Sequence, residues 1–269
     1  MATIHHERAS AKLTRTLHIT GRRRDGYHFI SSEMISLDLA DELVIDEGGS
    51  GISVVDAIAW TDVSGERPRL DVAEDESNLV QRALNAIGRQ AGVRLVKRIP
   101  AGAGLGGGSS DAAAVLRCFG VDDYSLAASL GADVPFCIAG GRALVSGIGE
   151  VIEPLEDEAI HVIVVTPRFS VSTRAVYDAY DEIASTSTGG PNDLEPAALV
   201  VEPRLRLVKD VVASVTGREA VLAGSGASYF VECTQDEQEG LRASLESALG
   251  AEIGPVVVSP CRSTRRRPA

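Results

Sequence analysis

Residues 100–117 read Pro-Ala-Gly-Ala-Gly-Leu-Gly-Gly-Gly-Ser-Ser-Asp-Ala-Ala-Ala-Val-Leu-Arg, and no other stretch limits the fold so tightly. Gly102, Gly104, Gly106, Gly107 and Gly108 strip the side chains from a loop. The alanine-rich run opened by Ser109, Ser110 and Asp111 has the composition of a helix. Bare backbone N–H groups running into a helix N-terminus make an anion cradle, because amides and dipole both favour negative charge. The expected anion is the polyphosphate of a nucleotide. A Walker A loop needs Gly-x-x-x-x-Gly-Lys-Ser/Thr, and no lysine lies between Lys97 and Lys209. Gly102-x-Gly104-x-x-Gly107 satisfies the dinucleotide fingerprint, with Asp122 and Asp123 near the distance of its acid. Residues 118–124 nevertheless lack the apolar run of the strand that should precede that acid. A flexible linker is the remaining alternative, but linkers do not run straight into a capped helix.

The 269 residues are 44% hydrophobic, enough core for one large or two small domains. A net charge of −12 argues against nucleic acid or an anionic membrane as partner. Any phosphate site must then be locally electropositive, and the basic ending Arg265-Arg266-Arg267-Pro268 reads as a frayed, solvated tail. Cys118, Cys137, Cys233 and Cys261 are scattered, which suggests reduced thiols and no zinc site. The first residues lack an apolar signal region and no run approaches membrane-spanning length. The expectation is a soluble cytoplasmic protein; its oligomeric state is not legible.

Periodicity predicts strands over Ala11–Thr20, Tyr27–Leu39, Leu43–Asp46, Ile52–Val55 and Val93–Ile99, with more over 142–152. Helices are expected over Asn78–Ala91 (stopped by Gly92), from Ser109 to about Gly120, and over Ser125–Leu130. An acidic, proline-containing segment at 153–158 suggests a domain boundary. Beyond it the pattern predicts strands over His161–Pro167, Ala220–Ala223, Tyr229–Cys233 and Val256–Val258. It predicts helices over Thr173–Ile183, Leu205–Thr216 and Asp236–Leu249, and a loop over Ser185–Pro191. Strands and helices mix without strict alternation, so the class is α+β. Asp133 is the sole charge between Ser125 and Gly141; a carboxylate in such company needs a partner. A capping aspartate and a reactive one are equally good readings of it.

Pro100-x-x-x-Gly104-Leu-Gly-Gly-Gly-Ser-Ser-x-Ala-Ala resembles the ATP-binding motif of the GHMP kinases. Ala9-Ser-Ala-Lys12-Leu-Thr with Gly21-Arg-Arg-Arg-Asp25-Gly-Tyr-His28 resembles the opening of one branch, the 4-diphosphocytidyl-2-C-methyl-D-erythritol kinases of non-mevalonate isoprenoid synthesis. Leu130-Gly-Ala-Asp133-Val-Pro-Phe136 is similar to the family's catalytic-aspartate segment. Thr166-Pro167, Ser172-Thr173, Tyr177 and Asn192-Asp193-Leu194 resemble its later landmarks, and Leu222-Ala-Gly-Ser-Gly-Ala-Ser-Tyr-Phe230 its third motif. The resemblance runs over about residues 9 to 235.

It implies a two-domain fold, with a ribosomal S5 domain 2-like ATP domain over 1–155 and a ferredoxin-like domain over 156–269. It implies ATP as co-substrate, Mg²⁺ as counter-charge and a cytidine-diphosphate sugar alcohol as acceptor. Asp133 would be the base and Lys12 its electrostatic partner. Pro100, Ala101, Gly102, Ala103, Gly104, Leu105, Gly106, Gly107, Gly108, Ser109 and Ser110 would bind ATP. Thr14, Tyr27, His28, Thr166, Gly224, Ser225 and Gly226 would bind substrate, Tyr27 by stacking on the cytosine and His28 by hydrogen bonds. Plainer structural roles stand beside these: an exposed strand lysine at 12, a hairpin base at 27–28, helix capping at 109–110 and a turn at 224–226. Thr14 stands where the family usually has asparagine, Arg15 interrupts an apolar face, and the segment before Asp133 is short. Kinases of mevalonate or homoserine type, a non-catalytic nucleotide-binding relative and a nicotinamide oxidoreductase are the competing functions.

Overall fold

The computed structural model describes residues 3–61, 72–183 and 189–266. The expected loop over 185–191 and the basic tail therefore lie partly outside the described residues.

Two sheets organise the chain. The first is mixed and seven-stranded: β1 (Ile4–Thr14), β2 (His18–Arg22), β3 (His28–Asp46), β4 (Ile52–Asp56), β5 (Gly92–Lys97), β6 (Arg142–Gly147) and β7 (Val151–Pro154). β3 is its spine. β1 and β2 follow one another along one edge of β3, and β6 and β5 along the other. The sequence pattern predicted a break in β3 after Leu39, yet the strand runs on. Asp41 is not a turn residue there: its carboxylate is buried, accepting the N–H groups of Arg98 and Ile99 and the ammonium of Lys97. The ladder instead shifts register slightly earlier, where Ala11 alone faces residues 37–39.

The expected strand over Ala11–Thr20 is also revised. It starts at Ile4 and stops at Thr14, because the chain swings out at Leu17 to pair with residues 191–193. Leu17 donates its N–H to Pro191 and accepts that of Asp193 before β2 begins.

The second sheet is antiparallel, in the order β11 (Val256–Arg262), β8 (His161–Pro167), β10 (Tyr229–Cys233), β9 (Val221–Leu222). Helices α1 (Leu79–Ala86), α2 (Gly107–Cys118), α3 (Tyr124–Leu130) and α4 (Val134–Ala139) precede it in the chain. Helices α5 (Thr173–Glu182), α6 (Glu195–Val201) and α7 (Leu205–Thr216) lie between β8 and β9 in the chain, and α8 (Gln238–Ile253) lies between β10 and β11. α1 is capped by Asn78 and ends at Ile87, not near Ala91: Gly88 turns at φ +63°, and Gly92 opens β5. α4 and α6 were not anticipated. Each is a short apolar turn opened by proline, Pro135 and Pro196, with too few residues to show a period.

Three buried clusters hold the layers together. One packs α1–α4 on the first sheet and another packs α5–α8 on the second. The third lies on the seam between them. It draws Leu13, Ile35 and Leu37 from the first sheet, Val162, Val164 and Phe230 from the second, and Ala103 and Leu105 from the glycine loop. The chain's end is not frayed up to residue 264: Thr264 donates to the Ser36 carbonyl and Ser263 to that of Ile160.

Candidate active site

β5 delivers the chain into the glycine loop at the seam. Gly102, Gly104 and Gly106 have φ of +67°, +76° and +66°, where a side chain is strained. Space is short as well, since a Cβ on Gly104 would sit 2.2 Å from the Ala223 carbonyl oxygen. Both halves clasp the loop, Lys12 donating its N–H to the Leu105 carbonyl (3.0 Å) and Ser228 to that of Ala103 (3.1 Å). Pro100 is buried beside it. The helix after the loop begins two residues earlier than expected, at Gly107, and its N-cap Gly106 has no side chain to satisfy the first-turn amides. Gly106, Gly107, Gly108 and Ser109 line a cleft of about 470 Å³ together with Pro100, Ala101, Gly102 and Gly104. Ser110 does not: it is buried, and its hydroxyl donates to the Gly107 carbonyl (2.9 Å).

Across the same cleft stand Lys12 and Asp133. Lys12, on β1, is 5% exposed, so it is not a solvated strand lysine. Its Nζ lies 3.1 Å from Thr14 Oγ1 and 3.4 Å from Asp133 Oδ2. Glycine at 106 and 224 makes room for it, because a Cβ at those positions would come within 2.7 Å of its Cγ and 3.2 Å of its Nζ. Asp133 holds the N-cap position of α4, yet its side chain accepts no capping bond. At 31% exposure it faces the cleft, free of the structural duty that the sequence left open.

A second lobe of about 700 Å³ adjoins the first, sharing Ile30, Ala132, Ile148, Thr173 and Tyr177 with it. Tyr27 and His28 line it. Tyr27 is 60% exposed, its ring 5.5 Å beneath the Arg23 guanidinium. The His28 ring is buried, stacked on Tyr177 at 5.0 Å and set edge-on to Tyr180 at 5.8 Å, with Nε2 2.8 Å from Asp181 Oδ1. Burial and the nearby Asp133 push the Tyr177 hydroxyl up to about 12, which keeps it a hydrogen-bond donor.

Gly224 and Ser225 reach the first lobe, and the loop is pinned by Asn192 Nδ2 donating to the Leu222 and Gly224 carbonyls (2.8 and 2.7 Å). Ser225 and Thr173 hydroxyls meet at 2.8 Å. Gly226 packs toward Leu222 and Val171 instead of lining either lobe. Thr166 is buried on β8 with its hydroxyl 2.7 Å from that of Ser228, outside both lobes.

Sequence reasoning missed the charged group beneath the cradle. Lys97 Nζ, buried between β5 and α2, donates to Asp41 and to Asp111 Oδ2 (2.6 Å). Burial opposes its charge, but Asp111 and Asp41 hold its pKa above the ordinary value. An aspartate on the alanine face of a helix was the available signal. Asp181 was missed too, although it lies one helical turn beyond Tyr177.

Among the described residues no three or more His, Cys, Asp or Glu side chains converge as a metal cage. A magnesium ion keeps most of its waters and is commonly held through substrate phosphates instead of a protein cage. Among the described residues no helix is long and apolar enough to cross a membrane.

The family model for the N-terminal domain of the GHMP kinases matches residues 78–141. A protein of Polaromonas naphthalenivorans described as 4-diphosphocytidyl-2-C-methyl-D-erythritol kinase is 33% identical, over 97% of this chain and 93% of its own. A protein of Paracoccus denitrificans with the same description is 35% identical over 83% and 85%. The crystal structure of a 4-(cytidine 5'-diphospho)-2C-methyl-D-erythritol kinase superposes with a TM-score of 0.71 and 30% identity, covering 97% of this chain and all of that one. A homoserine kinase from Cytophaga hutchinsonii shares the fold at 18% identity and a TM-score of 0.62.

Proposed function

The chain belongs to the 4-diphosphocytidyl-2-C-methyl-D-erythritol kinases, a branch of the GHMP kinases, and from that membership we propose how its cleft moves the γ-phosphoryl group of ATP onto the 2-hydroxyl of the cytidyl alcohol. This is a step of non-mevalonate isoprenoid precursor synthesis. The observation that carries the assignment of roles is the Lys12–Asp133 pair, 3.4 Å apart, facing the uncapped N-terminus of α2 across one cleft.

Residues 100–109 cradle the polyphosphate with backbone amides, and the helix dipole adds to their field. A magnesium ion would be held through the phosphates over residues 100–109, with no cluster of described acidic side chains to cage it, and would supply counter-charge there. Asp133 accepts the proton of the 2-hydroxyl as that oxygen forms its bond to γ-phosphorus and the bond from phosphorus to the bridging oxygen of ADP breaks. Lys12, 3.4 Å from Asp133, offsets the charge spreading over the transferred group. Thr14 orients Lys12 by accepting its hydrogen bond. Gly224 and Ser225 close the cleft from the second sheet. The cytosine occupies the second lobe, stacked by Tyr27 and hydrogen-bonded by His28. Residues 1–155 supply the nucleotide side of this cleft, and residues from 156 onward complete it.

Purified protein given ATP and each of three alcohols tests this. The cytidyl alcohol should be phosphorylated far faster than mevalonate or homoserine, and a preference for either of those sinks the substrate assignment. Asp133→Asn should lower kcat by about a hundredfold or more while nucleotide affinity stays within a few-fold. Undiminished turnover by that variant removes Asp133 as the base.

A further inference from the structure

We propose that Asp181 is a positioning residue that fixes the tautomer of His28, so that the second lobe selects a ring bearing an exocyclic amine, cytosine, over one bearing a carbonyl, uracil. The inference rests on the substrate assignment made above and adds the source of its base selectivity.

The two oxygens of Asp181 are divided between two partners. Oδ1 lies 2.8 Å from His28 Nε2 and Oδ2 lies 3.1 Å from Arg22 Nη2. A carboxylate held by a guanidinium only accepts hydrogen bonds, so the proton in the first contact must sit on Nε2. In the neutral imidazole this leaves Nδ1 as a bare acceptor. The ring cannot escape by turning over. Its side chain is 6% exposed, stacked at 26° to Tyr177 and edge-on to Tyr180. Among the described residues the one hydrogen bond of the ring is that of Nε2, and His28 lines the lobe beside Tyr27, Arg22 and Asp181.

The hydrogen-bonding edge of cytosine offers one donor, the N4 amine; its N3 and O2 are acceptors. A bare Nδ1 therefore pairs with N4–H. Uracil presents O4 at the same place, setting one lone pair against another. A buried polar group left unpaired discriminates more strongly than a change of shape does. Asparagine at 181 has the same outline but both a donor and an acceptor, so it satisfies either tautomer and releases the constraint.

The test compares wild type with Asp181→Asn at about pH 8, above the ordinary imidazole range, on the cytidyl alcohol and its uridyl analogue. Wild type should prefer the cytidyl substrate strongly. The variant's preference should fall about tenfold or more, with the loss on the cytidyl substrate sitting in KM more than in kcat. Nitrogen-15 NMR of the His28 ring supplies a readout independent of turnover. Wild type should show a protonated Nε2 and an unprotonated Nδ1, and the variant a mixture. A protonated Nδ1 in neutral wild-type protein overturns the inference, as does an undiminished preference in the variant. Wild-type protein that phosphorylates neither alcohol defeats the substrate assignment itself, and the selectivity argument with it.

Discussion

Three charged side chains lie under the phosphate cradle, and only one of them is a cation. Lys97 is shared by Asp41 and Asp111, and burial pushes the Asp111 carboxyl up from 3.8 to about 7 against the pull of Lys97. An acid protonated at higher pH in the fold than in the unfolded chain makes the fold bind more protons between the two values. Its contribution is thus fully present below about pH 4 and is lost as pH rises through about 7. Asp111→Asn removes that titration while leaving an acceptor for Lys97. The stability of the variant relative to wild type should therefore climb between about pH 4 and pH 8, as measured by urea unfolding at a series of pH values. Parallel profiles would show that Asp111 is ionised throughout. Asp133 illustrates the opposite situation, a carboxylate with partial solvent access and a single ammonium partner, left available for chemistry.

At the scale of elements, Arg15 now has an explanation that its position in an apolar pattern did not offer. It follows the end of β1 and joins the two sheets, with Nη1 on Glu33 of β3, and with Nε and Nη2 on Glu232 of β10 at 2.9 and 2.6 Å. Arg15→Met should cost about 1 kcal/mol, near the upper end for partly exposed pairs because one guanidinium serves two carboxylates. The same loss should shrink in high salt when wild type and variant are compared by denaturant unfolding. Elements with a clean period were legible to the residue: β8, β10 and α7 have the bounds that the pattern assigned. β3 was not, because Asp41 looks like a turn signal unless its buried partners are known. α4 and α6 are shorter than one hydrophobic period can reveal. In the site, Lys12 and Asp133 were legible through the company they keep in a familiar motif. Asp181 and Lys97 meet neighbours distant in the chain, His28 and Asp111: the helical aspartates were visible in the sequence, but their partners were not.

For the whole molecule, the seam matters more than either sheet. Leu105 is fully buried in a cluster that takes residues from both sheets, so Leu105→Ala removes packing from both at once. A cost of about 2–5 kcal/mol is expected, and thermal unfolding should remain one transition shifted downward. Two separated transitions in the variant would mean that the halves fold independently. The glycine loop thus hangs from the junction: its outer face lines the cleft while Ala103 and Leu105 anchor its inner face between the sheets. Nucleotide binding is consequently not a property that can be excised. A gene cut between the sheets would encode a first half carrying every glycine of the cradle but only part of the surface that holds its shape, and the severed halves would have to find each other to restore the rest.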